Sequence, residues 1–238
     1  NQRSCVAHCL LPLSGFGVPA GANGQIGHFF PLNFPFFLPI PTHAALGAAT
    51  VLCLLVTAVG TYLLCRDYGA TALGAVLAAG VFASMGAMLG HMHHLGLIGA
   101  ACWIPWQWLA AKRVANGRSR TYLVAIGLLT ALQLLASHPQ MAGMGLLSAG
   151  IVYLLERSFD RQRGWVRSAA ESVALVFGAA IAGGILAAVQ VLPMYQLSRH
   201  SVRARDLSYD FLTSYSLPWS HLLRLAVPDL FGSMETYF

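Results

Sequence analysis

The sequence predicts an all-α protein, a polytopic bundle of about six transmembrane helices with outer-side loops that contain short interfacial helices. The first observation behind this is composition: 9% of the 238 residues are charged and 57% are hydrophobic, whereas soluble domains carry about 25% charged residues. Long uncharged runs recur along the chain, and basic residues gather in the short loops between them. The mean hydropathy of +0.64 excludes a soluble, disordered or collagen-like chain, and five Cys are too few for a disulfide scaffold.

Six apolar runs approach the roughly 20 residues that a helix needs to cross a bilayer. They occupy residues 43–65, 69–90, 95–111, 121–136, 139–155 and 168–192. The fourth and fifth are interpreted as two helices, because Pro139 disfavours helical backbone at His138. The predicted organisation is an outer segment over residues 1–42, a six-span bundle over residues 43–192 and a second outer segment over residues 193–238.

The distribution of basic residues predicts the orientation of the bundle. Eight of the 14 basic residues lie in two short loops, formed by Lys112, Arg113, Arg118 and Arg120 and by Arg157, Arg161, Arg163 and Arg167. Cytoplasmic loops concentrate Lys and Arg, so we expect both loops, and Arg66 with Asp67, to face the cytoplasm. Both chain ends and all nine His residues then lie on the outer side. The tolerance of membrane interfaces for His explains this pattern as well as a functional outer face does.

The two ends of the chain carry no visible targeting signal. The chain begins at Asn1 without a charged-then-apolar leader and stops at Phe238 in a polar, aromatic stretch, so we expect a piece of a longer protein. Cys5 and Cys9 are able to pair in an oxidising compartment or to stay free. The Cys residues in or beside the spans are interpreted as small packing residues; they are Cys53, Cys65 and Cys102.

Two polar clusters are predicted at the outer ends of spans. His91 and His94 share one helix face, but zinc takes three or four ligands and no third ligand has motif spacing, so no metal site is assigned. The Ser-His-Pro-Gln turn at residues 137–140 lies at membrane depth, where irregular polar backbone is stable only against a cavity or inside protein. It is therefore a candidate binding site, or else a connecting turn in which Ser137 caps the next helix.

The last outer segment adds a glutamine and a mixed cluster of charges. Gln190 lies in an apolar helix near its outer end, and it is followed by Arg199, Arg203, Arg205, Asp206 and Asp210. Guanidinium groups match phosphate oxygens, which favours a phosphate-bearing lipid head group as the ligand. Carboxylates act as general bases or hold a divalent cation. A solvated loop with local ion pairs explains the same cluster without a ligand.

Several short motifs, taken in order, resemble one family. They are the Gly-Val-Pro and Asn-Gly-Gln segments before Phe30-Pro31-Leu32-Asn33, the turn at residues 137–140, Gln190-Val191-Leu192-Pro193, Ser201-Val202-Arg203, Leu207-Ser208-Tyr209, Ser216-Leu217-Pro218 and Pro228-Asp229-Leu230-Phe231-Gly232. Their order over residues 15–232 resembles the YfhO-like family of bacterial multi-pass membrane proteins, which belongs to the GT-C class of membrane glycosyltransferases.

The resemblance implies transfer of a sugar from a polyprenyl-phosphate carrier to a cell-envelope glycan or protein, outside the bacterial cytoplasmic membrane. Under it, outer-side placement and residue chemistry assign donor-phosphate contacts to Arg199, Arg203 and Arg205, and secondary carboxylates to Asp206, Asp210 and Asp229. The residues expected to line the cavity are His91, His94, His138, Gln140, Gln190 and Ser201. Such enzymes place their main acid in the first outer loop; residues 1–42 contain none, so we expect it upstream of Asn1. No cofactor is implied with certainty, and a divalent cation stays open.

Two other classes of function stay open. A transporter or lipid flippase also uses helices broken near a polar turn, although the spans hold almost no ionisable residue at mid-membrane depth, which ion-coupled transport needs. A non-catalytic scaffold derived from the enzyme family fits the lack of an acidic residue in residues 1–42. Nucleic acid is not an expected partner, because the two basic loops account for the net charge of +6 and orient the chain in the bilayer.

Overall fold

The computed structural model describes residues 27–119, 121–158 and 164–199, together with residues 209, 213, 216, 219–225, 227 and 230. These residues form helices and turns and contain no strand, which confirms the all-α prediction. The chain divides into two compact units, Asn1–Leu197 and Ser198–Phe238. The second unit contains a 3-10 helix over Trp219–Leu225.

The first unit begins with a 3-10 helix over Pro31–Phe37. The α-helices that follow it are α1 (Thr42–Asp67), α2 (Ala72–Ala83), α3 (Gly86–Leu89), α4 (Leu95–Ala101), α5 (Ile104–Ala115), α6 (Thr121–Leu135), α7 (Pro139–Ser158), α8 (Trp165–Leu186) and α9 (Ala188–Ser198), whose last residue lies in the second unit. The first, fourth and fifth predicted spans are single helices (α1, α6 and α7). The predicted break between α6 and α7 is confirmed and occupies residues 136–138.

The other three predicted spans are interrupted. The second ends as a regular helix at Ala83, beside Ser84, whose hydroxyl donates to the Gly80 carbonyl at 2.7 Å; such back-bonding bends helices. The third is broken between α4 and α5, just before Pro105, which has no N–H to continue the helical ladder. The sixth is broken at Ala187, one turn after a Gly-Gly pair, a sequence at which helices kink.

Two helices are long and apolar enough to cross a membrane, α1 with 26 residues and α8 with 22. At 1.5 Å per residue, α1 is about 39 Å long and α8 about 33 Å, against a hydrocarbon core of about 30 Å. Only 33% and 22% of their apolar stretches are buried inside the protein. A core helix of a soluble protein is mostly buried, so this exposure favours helices whose apolar surface faces lipid.

The helices of the first unit pack side by side as a bundle. Helix α1 contacts α2, α4, α5 and the 3-10 helix; α5 contacts α6 and α7; and α8 contacts α6 and α7. One buried cluster lies among α5, α6, α7 and α8, and a second joins α1, α3 and α4 to Phe30 and Ala136. Many members of both clusters are Ala. Small residues let helices approach closely, and this close packing stabilises helix contacts in lipid, where there is no hydrophobic driving force between helices.

A single indole links α1 to α5. The Trp106 Nε1–H of α5 donates to the Val56 carbonyl of α1 at 2.9 Å. Gly60 of α1 makes this approach possible, because a Cβ at that position would lie 2.5 Å from Trp106 Nε1. The bond joins a half-buried indole N–H to a backbone oxygen of the neighbouring helix, which fixes the position of α5 along α1.

Polar groups lie at the two ends of the helix bundle. At one end, Asp67 of α1 contacts the last residues of α5, and Glu156 of α7 contacts Tyr68 and Asn116. This is called the basic end, residues 66–71, 112–119, 156–158 and 164–171. At the other end, Gly27 bonds to Ser137; this is called the histidine end, residues 27–41, 91–95 and 136–140. The described parts of the two basic loops therefore lie together, away from the turn at residues 137–140.

Candidate functional site at the histidine end

The turn between α6 and α7 is held by the segment that precedes α1. Ser137 has a φ of 64°, a left-handed conformation that is uncommon for a residue other than glycine. Its Oγ accepts a hydrogen bond from the Gly27 N–H at 3.2 Å, and the Gly27 carbonyl accepts one from Asn33 Nδ2 at 2.8 Å. The Ser137 hydroxyl therefore makes a long-range contact with Gly27. The alternative considered from the sequence was that it caps the next helix. Phe30 packs beneath this contact against Gly99.

A cavity of about 320 Å³ adjoins this contact. Its lining combines two phenylalanine rings, an imidazole, an amide and backbone, from Gly27, His28, Asn33, Phe36, Phe37 and Leu95. The His28 ring meets Phe37 edge to face, with centroids 6.1 Å apart and planes at 88°. A concave, mostly apolar space with a few polar groups is the usual form of a small-molecule site. The sequence had indicated this segment only as aromatic and proline-rich.

His138 is the predicted cavity residue with the most distinctive surroundings. Its Nδ1 is buried and has no hydrogen-bond partner in the described structure. Partial burial lowers the pKa of the imidazole below its ordinary value, and the nearby His94 lowers it further by charge repulsion, against the effect of a backbone hydrogen bond. His94 thus lies near enough to His138 to oppose its positive charge, which favours a neutral His138 ring with one donor and one acceptor nitrogen.

This environment predicts an acid-sensitive fold. The unfolded chain, with an ordinary His pKa near 6.5, takes up a proton before folded His138 does, so stability is present above that value and is lost as the pH falls through it. We expect the thermal midpoint in detergent to fall between about pH 7.5 and about pH 5, and to fall less in His138→Gln. Gln140→Ala, an exposed and non-titratable neighbour, is the control; an equal loss in His138→Gln and wild type would contradict the prediction.

The histidines before α4 form an exposed group. The rings of His91 and His94 lie 6.1 Å apart, and those of His93 and His94 lie 4.2 Å apart. His91 Nδ1 lies 3.0 Å from the Ala87 carbonyl, so these residues form a turn after α3, not the continuous helix expected. Within the described ranges there is no group of three or more His, Cys, Asp or Glu side chains placed to hold a metal ion.

Sequence reasoning missed a buried network of glutamines beneath the turn. Gln107 Nε2 of α5 donates to Gln133 Oε1 of α6 at 2.9 Å and to Thr130 Oγ1 at 3.2 Å. Gln133 Nε2 donates to the Ala100 carbonyl at 3.0 Å. That carbonyl belongs to the last turn of α4, where the break before α5 removes its helical partner. The sequence feature that could have indicated this network is the presence of Gln107 and Gln133 inside otherwise apolar runs.

The remaining predicted residues are scattered or not described. Gln190 is fully buried on α9, Gln140 is exposed on the first turn of α7, and Arg199 is exposed after α9. The other predictions lie outside the described residues: Ser201, Arg203, Arg205, Asp206, Asp210 and Asp229. The acidic residues that are described, Asp67, Glu156 and Glu171, all lie at the basic end. The described part of the histidine end therefore holds polar groups without carboxylates.

The basic end is organised around one carboxylate. Asp67 is bound by Lys112 Nζ at 2.8 Å, Arg113 Nε at 3.1 Å and Arg118 Nη1 at 2.8 Å. Lys112 Nζ also lies 3.9 Å from the centroid of the Tyr68 ring. Burial and the hydrogen bond to Glu156 raise the pKa of Tyr68 to about 12, so its hydroxyl stays a donor at physiological pH. These contacts leave the cluster with excess positive charge.

Fold and site together define a helical protein in which two of the described helices are long and apolar enough to cross a membrane, with a small, mostly apolar cavity at one end of the helix bundle. Comparison with known proteins does not assign the chain to a family. No family model matches the chain, no curated protein matches it, and no solved structure matches it.

Proposed function

We propose that the protein is a bacterial cytoplasmic-membrane protein with about six spans and with its histidine end outside. The support is physical. The described helices run alternately between the basic end and the histidine end, and Lys and Arg concentrate at cytoplasmic ends. The large exposed apolar side chains of α1 and α8 include Leu55, Val59, Phe177, Ile181 and Ile185. In this arrangement α2 and α4 are too short to cross the bilayer alone. Helix α2 crosses it together with α3, and α4 crosses it together with α5.

For its activity we infer a membrane glycosyltransferase, which moves a sugar from a polyprenyl-phosphate donor to an extracytoplasmic acceptor. The observation that carries this is the 320 Å³ cavity of aromatic, amide and imidazole groups beside the turn that holds His138. Aromatic faces and a few hydrogen-bonding groups are suited to a sugar ring, and a membrane-level position suits a donor whose tail stays in lipid. The ordered motifs that resemble the YfhO-like family point to the same chemistry.

The reaction assigns distinct roles to the predicted residues. The acceptor hydroxyl oxygen attacks the anomeric carbon, the bond from that carbon to the phosphate oxygen breaks, and the polyprenyl phosphate leaves with the bonding electrons. The hydroxyl proton is taken by a carboxylate, that of Asp206, Asp210 or Asp229 or the first-outer-loop carboxylate that the family resemblance implies. Arg199, Arg203 and Arg205 stabilise the growing phosphate charge. The sugar is oriented by the groups that line the cavity, among them His28, Asn33, Phe36 and Phe37. The residues that the sequence assigns to the cavity lining, which are not among the lining residues of this cavity, are proposed to contact the donor or the acceptor around it: His91, His94, His138, Gln140, Gln190 and Ser201.

Transport is the second candidate, because a specific feature favours it. The helix break between α4 and α5 lies beside the buried amides of Gln107 and Gln133, and broken helices with exposed backbone groups form transporter sites. Here Gln133 already satisfies the freed Ala100 carbonyl, so the break is occupied by protein. This satisfied geometry makes transport the weaker of the two.

The test uses the full-length protein in liposomes that contain a tritiated polyprenyl-phosphate hexose and a cell-envelope glycan acceptor. We expect label in the acceptor, and about 100-fold slower transfer in Arg203→Ala, the size of effect seen when one donor to a developing charge is removed. Arg118→Ala at the basic end is the matched control and should transfer normally. Unchanged transfer in Arg203→Ala would overturn the phosphate role; movement of label across the bilayer without transfer would favour the transporter.

A further inference from the structure

A groove of about 400 Å³ lies between α6 and α8. Every residue that lines it is Gly, Ala, Val, Leu or Ile. Its floor belongs to the buried cluster among α5, α6, α7 and α8, through Ile126, Leu175 and Ala179. Its walls include the exposed side chains of Leu123 and Val124. A space lined in this way offers water no hydrogen bonds, so it suits hydrocarbon.

Small residues on α8 create this groove and set its length. The two helices approach closely at Gly127, where an added Cβ would lie 3.2 Å from the Ala182 Cβ. The space beside Gly178 is open, because a Cβ there would meet nothing within 4 Å. Between Ala174 and Leu186, which both line the groove, α8 rises about 18 Å at about 1.5 Å per residue. One leaflet of a hydrocarbon core about 30 Å thick measures about 15 Å, so the groove is as long as an acyl chain region.

The groove continues into a charged pair at the basic end. Residues three or four apart share one face of a helix, and one such series on α8 consists of Arg167, Glu171, Ala174, Gly178 and Ala182. The last three of these residues line the groove. Arg167 Nε lies 3.1 Å from Glu171 Oε1, and the Arg167 side chain is 72% exposed. Trp165, exposed at the start of the same helix, is typical of head-group depth. The guanidinium therefore stands at head-group level, on the helix face that enters the groove.

The charges around Glu171 leave an excess of positive charge. Arg157 of α7 also reaches this carboxylate, with Nε 3.6 Å from Glu171 Oε2. The Tyr153 hydroxyl donates to the same oxygen at 3.0 Å and accepts from Arg157 Nε at 3.1 Å. Two described guanidinium groups therefore face one carboxylate. A phosphodiester with one negative charge would neutralise the group, whereas a phosphocholine head group carries its own cation.

We propose that the groove between α6 and α8 binds an anionic glycerophospholipid, with an acyl chain along the groove and the phosphate at Arg167. The guanidinium has donors at Nη1 and Nη2 as well as at Nε, so it is able to hold Glu171 and a phosphate oxygen together. The inference rests on the membrane placement proposed above. It does not depend on glycosyl transfer.

The test is native mass spectrometry of the full chain in detergent micelles, titrated with dioleoyl phosphatidylglycerol or dioleoyl phosphatidylcholine. We expect tighter binding of phosphatidylglycerol. Arg167→Gln should weaken its binding about five-fold, because one basic residue at an anionic surface contributes about 1 kcal/mol, and should leave phosphatidylcholine binding unchanged. Arg118→Gln is the matched control, since Arg118 is also an exposed arginine bound to a carboxylate at the basic end, and it should keep the wild-type preference.

A second variant fills the groove. Gly178→Leu should abolish the binding of both lipids, whereas Gly184→Leu should not, because a Cβ at Gly184 also meets nothing within 4 Å but this residue does not line the groove. Circular dichroism checks that each variant keeps the helical fold.

Three results would overturn the lipid site. They are equal wild-type affinity for the two lipids, unchanged phosphatidylglycerol binding in Gly178→Leu, and a dimer that Gly178→Leu dissociates, which would make a second copy the occupant. The transfer assay described above is run separately in phosphatidylcholine liposomes. Failure of the lipid site therefore leaves the transfer result standing, and the reverse holds. A chain that does not fractionate with membranes would contradict the membrane placement and this site with it.

Discussion

Gly145→Ala is expected to destabilise the protein by about 3 kcal/mol, the upper range for overpacking a buried site. A Cβ on residue 145 would lie 2.5 Å from Gln107 Oε1 and 2.8 Å from Gln133 Nε2. Moving either amide breaks hydrogen bonds, because the two are bonded to each other and Gln133 also holds the Ala100 carbonyl. The substitution therefore introduces a steric clash and disrupts a hydrogen-bond network from which water is excluded.

The control for this prediction lies two residues away. A Cβ on Gly143 meets nothing within 4 Å, so Gly143→Ala should stabilise α7 by up to about 1 kcal/mol through helix propensity alone. Unfolding is followed by titrating dodecyl sulfate into detergent micelles and recording the far-UV circular dichroism. Equal midpoints for the two variants would show that the glutamine network does not constrain the approach of α7 to α5.

Asp67→Asn is expected to cost about 3 kcal/mol, the lower range for removing one partner of a buried ion pair. The side chain of Asp67 is 4% exposed and faces three cations, of which Lys112 is 8% exposed. Without the carboxylate charge, these cations repel one another in a poorly solvated place. The Lys112 bond to the Asp67 backbone carbonyl and its contact with Tyr68 remain, which holds the cost at the lower end.

Arg118→Gln is the matched comparison at the same carboxylate. The Arg118 side chain is 54% exposed, and exposed pairs contribute about 0–1 kcal/mol, so this variant should unfold close to the wild type. The same detergent titration measures both. If Asp67→Asn also unfolds like the wild type, the cluster is solvated and does not join α1 to α5. Added salt should reduce the effect of Arg118→Gln more than that of Asp67→Asn, because exposed pairs are screened more strongly.

The sequence predicted the helical segments well where hydropathy and a single breaker decide the outcome. Three of the predicted spans are single helices, and the break at His138-Pro139 follows from the steric effect of proline on the residue before it. The breaks at Cys102–Trp103 and at Ala187 were not predicted. Both lie inside continuous apolar runs, where the cost of interrupting a helix depends on what else satisfies its carbonyls.

The sequence indicated the turn beside the candidate cavity, but none of the residues that line the cavity was among the predicted site residues. The turn at residues 137–140 and its nearness to the outer histidines follow from their placement in loops, and His94 lies near enough to His138 to lower its pKa. The contact between Gly27 and Ser137 joins residues 110 positions apart, and no local pattern encodes it. The cavity depends on that contact, so aromatic content alone could not locate it.

By itself, the sequence determined the class of fold. A chain with 9% charged residues has too few polar side chains to cover a soluble domain, so long apolar helices and basic turns follow from composition. Only the tertiary structure decided which polar groups are partners, such as Gln107 with Gln133 and Asp67 with Lys112. The reason is that an apolar surrounding offers no water, so polar side chains buried there are stabilised by bonds to neighbouring helices. Which helix supplies each bond depends on how the helices pack.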